Sequence, residues 1–224
     1  ALKHRFHLDR NDHVASPEIL QISRLRTYLL THSPSKLGGA QRTYISRLIF
    51  GRFAFCTRSL GIPAYARVFS FDNMRLAIVK GGGIWTFAPY RRGQEILKAQ
   101  RFDLPYIRHP HVVEIDGHLI SFFSRIGDEP EEILASLLTK NREGKFEFGN
   151  PIRVISPDLD YEGYGLVNKP SVPGPSKAPV RQLRDPYYFQ DKNGESYIFY
   201  SVKGEFGIAV ATLSKSELLD RLLA

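Results

Sequence analysis

Five carboxylates in this chain lie next to arginine, histidine or turn residues in ways that suit proton chemistry: Asp12, Asp128, Glu162, Asp185 and Glu205. Glycoside hydrolysis needs such a pair, one protonated as general acid and one ionised as base or nucleophile. Arg184 directly precedes Asp185. A neighbouring guanidinium lowers a carboxyl pKa, so Asp185 reads as a base or pKa-setting group rather than an acid. His13, His32, Arg67, His109, Arg125 and Arg184 are the nearby groups able to grip hydroxyls or acids. Other chemistries find no motif. There is no G-x-S-x-G elbow and no P-loop, and Gly81-Gly82-Gly83 lacks the strand-to-helix context of a phosphate cradle. The single cysteine, Cys56, excludes an internal disulfide and a C-x-x-C metal site. His109 and His111 stand two apart with no carboxylate ligand close in sequence, so neither a metal nor a cofactor is expected.

Strands must position these groups. Ala66–Phe71 and Met74–Val79 flank Asp72-Asn73, and His111–Ile115 and His118–Phe123 flank Asp116-Gly117, a type I′ hairpin signal. Pro186–Gln190 and Ser196–Ser201 flank Asp191-Lys192-Asn193-Gly194, and Pro17–Ile22 and Arg26–Thr31 flank Ser23-Arg24-Leu25. A third run follows each hairpin: Thr43–Leu48, Ile84–Ala88, Glu132–Leu138 and Ile208–Leu213. Phe146–Ile155 adds a fourth run to one unit. Only Ser214–Leu223 has the cap and spacing of a helix. The recurrence predicts an all-β protein, a β-propeller of four-stranded antiparallel blades. Blades start near residues 13, 65, 109 and 185, within a single domain over 1–224. The Pro- and Gly-rich stretch Ser156–Val180 reads as an excursion loop.

This architecture predicts where the polar residues meet. In a propeller the innermost strands start on the face where the loops between second and third strands open. Asp12, His13, Arg67, His109, Arg184 and Asp185 stand at or before innermost strands. His32, Arg125, Asp128 and Glu205 fall in the second-to-third loops, and the excursion brings Glu162 to the same face.

The composition is that of a globular chain, with 42% hydrophobic and 24% charged residues. No apolar run is long enough for a transmembrane helix, and the opening ALKHRFHLDR has no signal-peptide character. A cytoplasmic location without membrane contact is the expectation. Residues 1–60 hold ten Lys/Arg against three Asp/Glu, so most of the +8 net charge lies there. These cations are scattered, which argues for a solvated face over a nucleic-acid surface.

His13–Ile19, Arg108-His109, Phe123–Asp128, Asp160–Gly163 and Leu183–Pro186 resemble the five-bladed β-propellers related to arabinanases and β-xylosidases, as does Tyr197–Leu213. The resemblance implies a glycosidase-like protein with an aspartate base, a pKa-tuning aspartate and a glutamate acid. Glu162 is similar to the acid in its setting, Asp185 stands where a family carboxylate can sit, and Arg67 takes the place of the third-blade aspartate. The stretch from Asp12 to Ile19 resembles the second blade, so the base-bearing first blade has no counterpart in these residues.

Three readings stay open. The first is a propeller that binds a carbohydrate, with hydrolysis as its stronger form. The second is a non-catalytic sugar-binding or interaction propeller. The third is a basic module for polyanions. An incomplete ring would leave open sheet edges, so either a closed four-blade ring or self-association through the gap, most simply a homodimer, is expected.

Overall fold

Residues 15–24, 26–33, 42–49, 52–88 and 107–224 are described by a computed structural model of the chain. The chain divides into two compact units, Ala1–Lys98 and Ala99–Ala224. Among the described residues there are four antiparallel sheets and one α-helix. None of the described helices is long and apolar enough to cross a membrane.

The first unit holds two sheets. One runs in the order β1 (Ala15–Ser23), β2 (Arg26–Ser33), β3 (Arg42–Ile49), β4 (Arg52–Pro63). The other is β5 (Arg67–Phe71), β6 (Met74–Ile78), β7 (Ile84–Thr86). Both central residues of the β5–β6 turn, Asp72 and Asn73, have positive φ, as a type I′ hairpin turn requires. Alternate residues of these strands, among them Tyr28, Leu30, Ile45, Leu60, Ile62 and Ala77, form one buried cluster. β4 is a long strand that the sequence reading did not identify.

The second unit holds the other two sheets and the helix. Its larger sheet is β8 (Ile107–Ile115), β9 (His118–Arg125), β10 (Ile133–Lys140), β11 (Phe146–Phe148) and β12 (Ile152–Ile155). β11 pairs with Leu138–Lys140 and β12 with Ile133–Ala135, so the predicted Phe146–Ile155 run is a fourth strand broken at Gly149-Asn150-Pro151. Pro151 has no N–H to continue a ladder. The smaller sheet is β13 (Arg184–Gln190), β14 (Ser196–Val202) and β15 (Gly207–Thr212). Its inner face gives Tyr188, Ile198 and Tyr200 to a core shared with Ile120, Phe122 and Ala135. The helix α1 (Lys215–Leu223) starts at Ser214, whose Oγ accepts from the Glu217 amide, and buries Leu218 in that core.

Three innermost strands start with the same irregularity. Ser16, His109 and Asp185 have φ of 48°, 49° and 53°, each precedes a proline, and each lies in a register shift of its ladder. A β-bulge re-aims the side chain it carries. A non-glycine residue in this region costs about 1–3 kcal/mol, so the surrounding bonds must hold it.

The excursion after β12 is tied down along its length. The Gly127 amide donates to Ser171 O (3.0 Å), Ser171 N to Asp128 O (3.1 Å) and Gly204 N to Gln182 O (2.9 Å). Gly204 stands at φ 84°, and a Cβ there would lie 2.7 Å from Ser176 Cβ and 3.0 Å from Val180 Cγ1. We predict that Gly204→Ala destabilises the unit by at least about 1 kcal/mol. It should also speed proteolytic nicking between residues 164 and 180, which limited proteolysis with mass spectrometry would detect.

Candidate functional site

The starts of β8 and β13 and the end of β9 meet at one buried carboxylate of the β9–β10 loop, Glu131. Its Oε2 accepts from Arg108 Nη1 at 3.1 Å and from Arg184 Nε at 3.0 Å, while Oε1 accepts from Ser124 Oγ at 2.7 Å. Glu131 is fully buried, and Arg108 and Arg184 nearly so. Burial pushes the Glu131 carboxyl above the usual range, and the two guanidiniums oppose that shift. Arg184 Nη1 then reaches the partly exposed Glu205 at 2.6 Å, and its Nη2 donates to Gln182 at 2.6 Å. Backbone carbonyls of the excursion complete the shell. Arg108 Nη2 donates to Val172 O and Gly174 O, both at 3.2 Å, and Arg184 Nη1 lies 3.4 Å from Gly174 O.

Beside this cluster stands a second pair on the two bulged positions. His109 Nδ1 lies 2.5 Å from Asp185 Oδ1, and Ser201 Oγ donates to Asp185 Oδ2 at 2.9 Å. Burial alone would raise the Asp185 pKa. The contact with His109, the bond from Ser201 and the charge of Arg108 outweigh it and hold the carboxyl below the usual range. About a third of the Asp185 side chain stays open to solvent. His111 turns elsewhere: its Nδ1 accepts the Tyr188 amide at 3.0 Å and its ring packs on Tyr187. The bulge between Arg108 and His111 sends the two histidines to different partners. Among the described residues no three His, Cys, Asp or Glu side chains gather as a metal site requires.

The remaining expected site residues separate into distinct settings. Arg125, expected in the loop, is the last residue of β9 and pairs with Asp128 of the β9–β10 loop at 3.0 Å. Glu162 is buried in a 3-10 turn, Asp160–Glu162. Its Oε2 accepts the Asp158 and Leu159 amides, both at 3.0 Å, and its Oε1 accepts the Tyr200 hydroxyl at 2.6 Å. Burial, then the bonds to Glu162 and Tyr161, push the Tyr200 pKa up, so the phenol stays a donor. In the first unit, Arg67 Nη1 meets Glu18 Oε2 at 3.2 Å and Pro17 O at 2.9 Å. Burial raises the Glu18 pKa against the pull of Arg67 and of the Val68 amide. His32 is buried with its ring edge on Tyr65, 4.3 Å between centroids. Asp12 and His13 lie outside the described residues. Sequence reasoning missed Glu131, although it too belongs to a second-to-third-strand loop. Its signal was hidden in the run Glu129-Pro130-Glu131-Glu132.

Two predictions follow from these charges. Glu131→Ala removes the carboxylate that Arg108 and Arg184 share and leaves Arg184 only the partly exposed Glu205, and urea denaturation should show a loss of about 3–5 kcal/mol. Glu131→Gln, which keeps an acceptor, should lose less. For Asp185 the folded state favours the ionised form, so its contribution to stability is complete above pH about 4, the unfolded value. It is lost as pH falls through the depressed folded value. The stability gap between wild type and Asp185→Asn should therefore narrow below pH about 4, and a gap constant with pH would contradict the assignment.

No protein-family profile matches the chain. An uncharacterised protein of Acanthamoeba polyphaga mimivirus is 40% identical over 116 residues, covering 49% of this chain and 31% of that protein. The chain thus spans less than a third of that relative's length in the match. Solved structures reach further along it. The endo-arabinase of Bacteroides thetaiotaomicron aligns with 88% of this chain and 74% of its own, at 15% identity and a TM-score of 0.59. A thermostable family-43 glycoside hydrolase covers 90% of this chain and 72% of its own, at 13% identity and a TM-score of 0.58. The alpha-L-arabinanase of Cellvibrio cellulosa, solved with arabinohexaose, covers 90% and 74%, at 11% identity and a TM-score of 0.54. At such identities the likeness is one of fold: the chain is built on the β-propeller fold shared by arabinanases and family-43 xylosidases.

Proposed function

We propose that the β8–β13 end of the second unit binds a neutral, hydroxyl-rich ligand, a carbohydrate, and that Asp185 is the carboxylate that meets it. One observation carries this reading. Asp185 and His109 occupy equivalent bulged strand starts and contact each other at 2.5 Å, and about a third of the Asp185 side chain is exposed. An ionised carboxylate held by fixed donors is a strong acceptor for sugar hydroxyls. The likeness of fold to proteins described as arabinanases and a family-43 hydrolase adds to it.

Charge supports a neutral ligand over an anion. Arg108 and Arg184 are matched by Glu131 and Glu205, and their guanidinium donors already meet carboxylates and excursion carbonyls. A polyanion would find no unmatched cation in this cluster and would face Asp185. Hydrolysis is the finer possibility. It needs an acid besides the ionised Asp185. Glu162 was the expected acid, but its two oxygens accept three hydrogen bonds that fold the 3-10 turn. Its geometry favours a structural role, so we assign binding to the described site and leave turnover as the outcome that would extend it.

Isothermal titration with L-arabinose, D-xylose, D-fructose and D-mannose tests the reading. Asp185→Asn should weaken whichever sugar binds wild type by about tenfold or more, the scale of one charge-assisted hydrogen bond. Glu162→Gln should leave that affinity unchanged while lowering the melting temperature. If Glu162→Gln instead reduced turnover of an aryl glycoside by about a hundredfold or more, Glu162 would be the general acid after all. Binding untouched by Asp185→Asn would place the ligand elsewhere.

A further inference from the structure

The sheet β13–β14–β15 meets different surroundings on its two faces. In its ladders Tyr187 stands opposite Phe199 and Phe199 opposite Val210, while Phe189 stands opposite Tyr197 and Ser201 opposite Ile208. Residues paired across an antiparallel ladder share a face, as do residues two apart along a strand. Tyr187, Phe189, Tyr197, Phe199, Ile208 and Val210 therefore lie on one face, completed by Ser201 and Thr212. The Phe189 and Phe199 rings meet edge to face, 6.4 Å between centroids. The other face, with Tyr188, Ile198, Tyr200 and Val202, is buried in the core shared with β9 and β10.

The first face is open to solvent. Tyr187, Phe189 and Phe199 are 40%, 47% and 39% exposed, Val210 is 50% and Ile208 80% exposed. None of its eight positions carries a charge. An antiparallel sheet with one solvated face ordinarily alternates apolar inward with polar outward, and this sheet turns rings and branched chains both ways. The larger sheet of the same unit has both faces covered: β9 is buried without a break from Leu119 to Ser124. β15 is also an edge, since among the described residues it pairs with β14 alone.

We propose that this face packs against the same face of a second copy of the chain, forming a two-fold dimer. Area, shape and charge select a second copy as the occupant. On the scale of roughly 150–250 Å² for a whole aromatic side chain, the five exposed residues show solvent about 500 Å² in one copy. Two copies bring about 1,000 Å² together from these residues alone, which reaches the size of a specific interface. An apolar patch of this extent is rare on a monomer and marks a contact surface. A sheet face is complementary to itself about a two-fold axis, because two sheets of the same twist pack face to face with their strands within about 30°. β14 is the central strand, so the axis passes close to Phe199. Lys192 and Glu195 bound one end of the face and Lys203 and Glu205 the other, so each end carries both signs and neither repels its counterpart as a block.

Sedimentation velocity of the full chain over a dilution series, with thermal melts followed by circular dichroism, tests the contact. Wild type should pass from dimer to monomer on dilution. Ile208→Lys and Val210→Lys each set two ammonium groups into the apolar face of the dimer, and each should raise the dimer dissociation constant by about tenfold or more. Both positions are at least half exposed, so the variants should melt as the wild-type monomer does. Val210→Ile keeps the apolar surface and should keep the dimer. Val167→Lys changes a residue of the excursion that is 69% exposed and should leave the dissociation constant unchanged. A wild type that stays monomeric at every concentration, because another protein or further residues of the polypeptide cover the face, overturns the two-fold contact. So does a dimer that survives both lysine variants, or one weakened as much by Val167→Lys.

Discussion

The second unit is organised around one carboxylate with no contact to water. Glu131 accepts from Arg108 at the start of β8, from Arg184 at the start of β13 and from Ser124 at the end of β9. Taking a carboxylate out of water is costly, and only well-placed cations and donors offset it. That requirement fixes three strand ends relative to one another. It also fixes the excursion, because the remaining guanidinium hydrogens need acceptors and find them in Val172 O and Gly174 O. The left-handed backbone at His109 and Asp185 is held in the same frame, each one residue beyond a clamped arginine.

This arrangement separates two kinds of charged group. Glu131, Arg108 and Arg184 are buried and build the frame. Asp185 and Glu205 are linked to the frame but reach its surface. Glu162 belongs to the first kind: it anchors the 3-10 turn Asp160–Glu162. Burial and bond count distinguish the two kinds where residue type does not.

Much of the fold was legible in the sequence, because its signals are local. Asp72-Asn73 and Asp116-Gly117 adopt the positive φ that type I′ hairpins demand, and Ser214 caps the helix. The strand starts and the β14–β15 loop bring His109 to Asp185 and Arg184 to Glu205. β4 was not legible: Arg52–Pro63 carries Gly61 and Pro63 and pairs with β3 through two register shifts, which breaks regular alternation. Glu131 was not legible either, since Glu129, Glu131 and Glu132 differ only in what the folded chain places beside them. The Glu162 setting resembled that of a catalytic acid, and nothing in Tyr-Glu-Gly reveals that Tyr200 and two amides fill its oxygens.

A double-mutant cycle between Arg108→Met and Arg184→Met, measured by urea denaturation, probes the shared carboxylate most directly. If both arginines answer the same buried Glu131, removing the second will not cost what it costs alone. The cycle should give a coupling of about 1 kcal/mol or more, within the range found for residues in one ion-pair network. Additive losses, with a coupling below about 0.5 kcal/mol, would mean that the two strand starts are held independently and that Glu131 is not the link between them.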